Sequence, residues 1–284
     1  MHLRQPAVAG RFYTDVPADL RAEVESFLKQ GAALPASALA AEDAAHLAGL
    51  MLPHAGHVYS GRVIGATLAH VRLPRTVFLL CPNHTGLGTP LSVWPAGAWQ
   101  TPLDGEMARL LCEADEDFSA DVMGHVREHS IEVLLPFLQV CAGDAPLHVV
   151  PVCVGTGQAP VLRTAGQRLA RVLERCRDRD GQCPLLLVSS DMNHYEDQQT
   201  TLRKDDLALE AALKGDADAL LATVARAGIS MCGAAPLALA FYALHAWTPD
   251  ATVRASLVMH ETSAAVSHDT EHVVGYAGLR IFSC

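Results

Sequence analysis

The stretch TVFLLCPNHTG (76–86) contains the pattern on which the fold prediction depends: an apolar run, then a turn with a histidine. Its first part, TVFLLC (76–81), has the length and apolar content of a buried strand. Three other runs have the same character: HLAGLML (46–52), HVVPVCV (148–154) and PLLLVSS (184–190). The four runs predict four buried strands.

Helical patterns alternate with these strands. They cover residues 60–72, 160–177 and 200–214. The alternation predicts crossover units, and therefore a three-layer α/β fold whose largely parallel central sheet has helices on both faces. Two late runs, TVRASLVMH (252–260) and HVVGYAGLRIF (272–282), have no helical pattern between them, which predicts an antiparallel strand pair added to the sheet.

The N-terminal region adds a surface helix. Residues 17–30 carry apolar side chains at helical spacing, and Gly31 stands where a C-terminal cap belongs. The Ala- and Pro-rich segment 31–45 is short enough to be a linker inside one unit. We therefore expect a single domain over residues 1–284.

The composition excludes several classes of function. Half of the 284 residues are apolar and the formal charge is -10, without a long basic run, which argues against a nucleic-acid partner. No phosphate-binding loop of the G-x-x-x-x-G-K type occurs, which argues against a nucleoside triphosphatase. No segment has the length and hydrophobicity of a signal peptide or a membrane span, so we expect a cytoplasmic protein with no membrane partner.

The eight cysteines are scattered and form no C-x-x-C pair, so neither a disulfide framework nor a zinc ribbon is indicated. Most of them are therefore expected to be reduced thiols in the core. This applies to the cysteines at positions 112, 141, 153, 176 and 183.

Histidines follow three of the predicted strands. LMLPHAGH contains His54 and His57, LLCPNHTG contains His84, and LVSSDMNHY contains Asp191 and His194. Because ligands bind beyond the carboxyl ends of parallel strands, these side chains are expected to share one crevice. A single histidine in a turn is more often a hydrogen-bonded loop residue, but three at equivalent places favour a metal site, since imidazole is the commonest metal ligand.

Two histidines and a third ligand suffice for a metal with open positions. The residues leave Asp191, Glu132 and Cys232 as candidates for the third ligand. Cys232 lies just before the helical run LALAFYALHAW, and a helix N-terminus favours the thiolate that binds metal.

Two further pairs of residues could take part in the chemistry. Asp191 and His194 are three residues apart and could form an acid/base pair, although Asp191 could equally cap its own turn. In REHSIEVLLPFLQV, Ser130 is a predicted helix N-cap beside His129 and Glu132. Glu132 could instead complement the dipole of that helix.

With these residues identified, the chain resembles the Memo-like family, which is called AmmeMemoRadiSam system protein B in prokaryotes. Seven ordered segments carry the resemblance over nearly the whole chain. They are PAVAGRFYTD (6–15), PHAGHVYSG (53–61), CPNHTG (81–86), EHSIEVLLPFLQ (128–139), VSSDMNHYE (188–196), MCG (231–233) and VVGYAGL (273–279).

The resemblance implies a fold similar to that of the class III extradiol dioxygenases, whose iron is held by two histidines and a carboxylate. It implies that His54 and His84 are the histidine ligands and that Cys232 replaces the carboxylate. It also implies that His194, with Asp191 beside it, is the acid/base residue.

Other pocket residues follow from the resemblance as well. His129 and Glu132 match family residues placed around the same pocket. Two departures from the family pattern, Cys81 in place of glycine and His57 in place of an aromatic residue, would bring a second thiol and a second imidazole towards the site.

The function implied first is a metal-dependent oxidoreductase acting on a small molecule, with iron as the first choice and copper or zinc as alternatives. A thiolate ligand shifts the preference towards copper(I) or zinc, so a zinc-type hydrolase is the second hypothesis. The third is a binding protein without turnover that acts through partners, and the family name implies an association with a radical S-adenosylmethionine protein and an AMMECR-type protein. The fourth is a metal-free hydrolase that uses Cys232 as its nucleophile.

Overall fold

The computed structural model describes residues 2–34, 46–95, 97–103 and 118–283. From residue 35 onward the predicted linker lies outside the described residues, and so does Cys112.

The described residues form strands and helices that alternate along much of the chain. The strands are β1 (His2–Arg4), β2 (Leu47–Leu52), β3 (Thr76–Pro82), β4 (Leu91–Val93), β5 (Gly97–Trp99), β6 (Ser119–Ala120), β7 (His148–Val154), β8 (Leu185–Ser189), β9 (His194–Glu196), β10 (Val253–Thr262) and β11 (Val273–Ser283). The helices are α1 (Pro17–Ala33), α2 (His57–Leu68), α3 (Leu135–Ala142), α4 (Ala159–Asp180), α5 (Gln198–Leu213), α6 (Ala217–Ala227), α7 (Ala234–Trp247) and α8 (Ala264–Ser267).

The main sheet has the strand order β10-β11-β2-β8-β3-β7-β4-β6, and β9 pairs with β11. Its centre is parallel, since β2, β8, β3 and β7 all run in the same direction. At one side β11 is antiparallel to both β2 and β10. The predicted parallel centre and C-terminal antiparallel pair are therefore confirmed, although the four-residue helix α8 between β10 and β11 was not expected.

The side chains of β3 show why helices cover both faces of the sheet. All seven residues of this strand are buried, as in a strand covered on both sides. Phe78 and Leu80 pack in a core with helices α4 to α7, whereas Leu79 and Cys81 pack in a second core with α1, α2 and α3. The alternation of side chains along a strand thus divides one apolar run between two cores.

Helix α1 ends later than predicted. It continues past Gly31 to Ala33, so Gly31 is not its cap. Gly31 is buried against helix α2, and a Cβ atom at this position would lie 2.3 Å from the backbone oxygen of Gly65. Gly31 therefore permits helices α1 and α2 to cross closely, and this requirement comes from tertiary packing.

The topology positions the site. Helix α2 leads from β2 to β3 and passes β8, which lies between those two strands in the sheet. The turns that follow β2, β8 and β3 therefore meet at one edge, where ligands bind in open α/β sheets.

Candidate metal centre

Three adjacent strands supply the residues of the site. His54, Asp191 and His84 each lie two residues beyond the end of a strand, β2, β8 and β3 respectively. One nitrogen of His54, one nitrogen of His84 and the sulfur of Cys232 all lie within 4.8 Å of one another. The predicted convergence of these three residues is present in the structure.

The tautomer of His54 follows from its hydrogen bonds. Its Nδ1 lies 2.7 Å from Ser189 Oγ, and that hydroxyl donates its only proton to the backbone oxygen of Ser130, also at 2.7 Å. Nδ1 of His54 must therefore be the donor, which leaves a lone pair on Nε2. Nε2 lies 3.5 Å from Cys232 Sγ. Burial holds the pKa of His54 well below its usual value, so the ring stays neutral, as a metal ligand must.

His84 is held by a carboxylate. Its Nδ1 lies 2.9 Å from Glu128 Oε1, and its backbone N donates to Glu128 Oε2 at 2.7 Å. Burial alone would lower the pKa of His84, but the hydrogen bond and charge of Glu128 outweigh it and raise that pKa. The carboxylate fixes Nδ1 as the protonated nitrogen and leaves Nε2 for a metal, which is the usual outer-shell arrangement around metal-binding histidines.

Glu128 is the site residue that the sequence analysis missed. Burial opposes its ionisation, but hydrogen bonds from His84 and Ser130 lower its pKa to about 2. Its carboxylate, with His84 and His129, forms a second group within 4.8 Å. Because its oxygens already accept bonds from the backbone and side chains of His84 and Ser130, we assign Glu128 the role of orienting His84.

These bonds also correct the prediction for Ser130. Its hydroxyl donates to Glu128 Oε1 at 2.8 Å and caps no helix. A short 3-10 turn, Glu132–Leu134, follows instead, and helix α3 begins at Leu135.

Cys232 lies two residues before helix α7. Its sulfur accepts a hydrogen bond from the backbone N of Asp191 at 3.2 Å. Burial, together with the carboxyl group of Asp191, raises the pKa of the thiol, so the helix terminus alone does not produce the predicted thiolate. A bound metal ion would, since coordination deprotonates a thiol.

The predicted acid/base residues are near the cluster but do not orient each other. Asp191 Oδ1 accepts a hydrogen bond from the backbone N of His54 at 2.7 Å, so this carboxylate joins two strand ends. Nδ1 of His194 lies 3.0 Å from the backbone oxygen of Ser230. Burial raises the pKa of Asp191, although the nearby His194 opposes that shift.

A third imidazole completes the pocket. The ring of His129 lies 4.8 Å from that of His84 and 5.4 Å from that of His54, measured between ring centroids. The ring of His129 also packs against that of Phe12, with 4.8 Å between the centroids. Burial lowers the pKa of His129, which favours the neutral ring.

Glu132 is not in the pocket. Its fully buried carboxylate pairs with Arg4 at 2.6 Å and accepts a hydrogen bond from Tyr13 at 2.8 Å. It also accepts bonds from the backbone N of Ala7 and of Val8. Glu132 therefore anchors the N-terminal segment.

His57 and Cys81 also lie outside the ligand group. His57 Nε2 donates to the backbone oxygen of Val133 at 2.9 Å, and its ring stacks on Tyr13. Cys81 is fully buried in β3, opposite Cys153 in the register with β7. His57 and Cys81, the two departures from the family pattern, therefore pack in the core beside the site.

Fold and site together define an α/β protein with a candidate two-histidine, one-cysteine metal centre at the carboxyl edge of its sheet. The family model described as "Memo-like protein" matches residues 4–280. The chain belongs to the Memo-like family. Within the described residues, no helix is both long and apolar enough to cross a membrane.

Relatives match this chain over almost their full length. A "MEMO1 family protein" of Desulfurococcus amylolyticus is 36% identical, covering 99% of this chain and 100% of its own. Proteins with the same description from Thermotoga neapolitana and Ignicoccus hospitalis are also 36% identical, and cover 96% and 99% of this chain. They cover 98% and 99% of their own length.

Proposed function

We propose that this protein is a metal-dependent oxidoreductase in which His54, His84 and Cys232 hold iron, with copper or zinc as alternatives. One observation carries the proposal. In both histidines Nδ1 is bonded to a protein acceptor, so both have a free lone pair on Nε2, and the sulfur of Cys232 is partly buried beside them.

The donor set fits a transition metal. Metal–nitrogen and metal–sulfur bonds of roughly 2.0–2.3 Å at tetrahedral angles place ligand atoms roughly 3.5 Å apart. The distance from His54 Nε2 to Cys232 Sγ is 3.5 Å, so these two atoms need no rearrangement. When bound, iron or copper would supply redox chemistry, and three protein ligands would leave positions open for a small molecule.

The surrounding residues have separate roles in this proposal. Ser189 and Glu128 orient the two histidine ligands through Nδ1. His194 presents Nε2 as a proton acceptor, since its Nδ1 donates to a backbone oxygen. His129 stacks on His84 and packs against Phe12, so it provides an aromatic neighbour for one of the two histidine ligands.

Metal analysis tests the proposal. Protein purified without oxygen and without a tag is expected to bind close to one equivalent of metal after reconstitution. Cys232→Ser and His84→Ala should each lower that stoichiometry, whereas His245→Gln, which changes a histidine bonded to Gly215 elsewhere in the fold, should not. Failure to bind iron, copper or zinc under every reconstitution condition would overturn the proposal.

The sulfur ligand favours a second candidate, a zinc-type hydrolase. Zinc is commonly held by cysteine and histidine, and it lowers the pKa of a bound water to about 7. Oxygen uptake with catechol-like compounds, compared between iron-loaded and zinc-loaded protein, separates the two candidates. Consumption of oxygen by the iron form alone supports the oxidoreductase, and hydrolysis of an ester by the zinc form without oxygen uptake supports the hydrolase.

A further inference from the structure

His194 is held at two points by one residue. Its backbone N donates to Ser230 Oγ at 2.7 Å, and its Nδ1 lies 3.0 Å from the backbone oxygen of Ser230. A carbonyl oxygen can only accept, so Nδ1 carries the proton in the neutral ring. The nitrogen with the free lone pair is then Nε2.

Ser230 is in turn held by Asn193. The side-chain oxygen of Asn193 accepts from both the backbone N and the hydroxyl of Ser230, each at 3.1 Å. Since that hydroxyl donates to Asn193, it is free to accept from the backbone of His194. The two residues thus join the turn after β8 to the loop that carries Cys232.

Asn193 is itself held by hydrogen bonds to two carboxylates. Its backbone N donates to the buried carboxylate of Asp205 at 2.9 Å, and its side-chain nitrogen donates to Glu196 at 2.6 Å. Asp205 Oδ2 also lies 2.8 Å from His260 Nε2. The link from Asp205 to Asn193 passes through a backbone N–H, which does not relay protons. These residues can therefore affect only the position of His194.

Backbone strain next to His194 indicates that this arrangement is enforced. Tyr195 has a φ of 61°, a left-handed conformation that is strained for a residue with a side chain. Its side chain is largely exposed and gains little from the fold. The surrounding bonds must therefore hold the turn in this shape.

We propose that Asn193 and Ser230 are positioning residues that hold His194 in the tautomer with a proton on Nδ1 and a lone pair on Nε2. This inference rests on the proposed function for its purpose, since that function needs a proton acceptor beside the metal ligands. Its structural content is independent of any metal.

The tautomer can be measured directly. Full-length, metal-free protein with ¹⁵N-labelled imidazole rings is studied by long-range ¹H–¹⁵N correlation at alkaline pH, where an ordinary imidazole is neutral. His194→Gln assigns its signals among the 14 histidines. The wild type is expected to show only the Nδ1–H form. Asn193→Ala and Ser230→Ala should each lose this single-tautomer pattern and show both forms.

Two control variants separate positioning from general disturbance. Thr201→Val removes a hydroxyl 3.3 Å from Asn193 Nδ2 but leaves the bonds to Ser230, so it should keep the wild-type pattern. In the double variant N193D/E196Q, the side chain at position 196 becomes the donor and the one at position 193 the acceptor. Residue 193 keeps an oxygen that accepts from Ser230, so this variant should show the single tautomer of the wild type.

An Nε2–H form in the wild type would overturn the inference. So would an unchanged spectrum in folded Asn193→Ala and Ser230→Ala. If Asn193→Ala does not fold, Ser230→Ala and the double variant still decide the question. Because the spectra are recorded without metal, they stand apart from the metal analysis, and failure of the proposed function would be recognised separately.

Discussion

Glu128 controls the orientation of a proposed ligand without touching the proposed metal. Glu128→Gln leaves one acceptor oxygen in place of two, so either Nδ1 or the backbone N of His84, which both donate to this carboxylate, would face an amide donor instead of an acceptor. Loss of such an outer-shell partner typically lowers metal affinity 10- to 100-fold. We expect a loss of this size, measured by competition with a chelator of known affinity. Glu210→Gln, at an exposed i,i+4 pair, is the matched control, and equal affinities in both variants would contradict the assignment.

Glu132, unlike Glu128, is expected to affect the stability of the fold and not the metal affinity. Glu132→Gln would leave the buried guanidinium of Arg4 without its charge partner. Removing one partner of a buried ion pair lowers the free energy of unfolding by roughly 3–5 kcal/mol. Urea unfolding should show this loss, while the metal stoichiometry of the folded fraction stays at the wild-type value. A variant with normal stability and reduced metal would instead place Glu132 in the site.

At the residue scale, the sequence identified the ligand candidates but not their partners. His54, His84 and Cys232 could be chosen because each stands beside the end of a regular element. Glu128 and Glu132 lie in the same motif, four residues apart, and nothing local distinguishes them. Their roles depend on which distant residue each one meets, His84 or Arg4, and that is decided by tertiary packing.

The crossing of helices α1 and α2 depends on two glycines. A Cβ atom at Gly65 would lie 2.3 Å from the backbone oxygen of Phe27, which cannot move without moving helix α1. Gly65→Ala is therefore expected to destabilise the protein by roughly 1–3 kcal/mol, despite the better helix propensity of alanine. Thermal unfolding compared with Gly157→Ala, where the new methyl group meets open space, measures this. Equal melting temperatures for the two variants would contradict the close crossing.

The bounds and caps of the helices and the short strands also depend on tertiary packing, so the sequence predicted them incompletely. The helical pattern over 60–72 was correct in kind, but the helix spans His57–Leu68. Gly31 matched the local pattern of a cap, since glycine is favoured there. Its actual role is to let α2 approach, which no pattern within one helix can show. Short strands such as β4 and β6 were not predicted, because two or three residues carry no periodicity.

For the whole molecule, the parallel sheet was predictable from the alternation of apolar runs and helical patterns. The order of its strands was not. The site depends on β8 lying between β2 and β3, although β8 comes more than a hundred residues after β3 starts. The positions of the histidines after parallel strands predict that they share an edge, but the distances among His54, His84 and Cys232 depend on the tertiary structure.

Acid stability is a property of the whole molecule, and His125 is one of the groups that contribute to it. This fully buried ring makes edge contacts with Trp94 and Trp99, and burial lowers its pKa from 6.5 to about 4. The folded protein therefore binds fewer protons than the unfolded chain between these two pH values. Stability is complete above the unfolded pKa and falls as the pH drops from about 6.5 towards 4.

Between pH 7 and pH 5 this one histidine should remove roughly 2 kcal/mol of unfolding free energy. His125→Gln retains a donor for the backbone oxygen of Ser92, to which His125 Nε2 donates at 3.1 Å, but it cannot titrate. Other groups also lose stability in acid, so the comparison is made between the two proteins. Urea unfolding at both pH values should show a decrease that is smaller in the variant by that amount. Equal decreases would mean that the pKa of His125 is the same in the folded and the unfolded chain, which would contradict its lowering by burial.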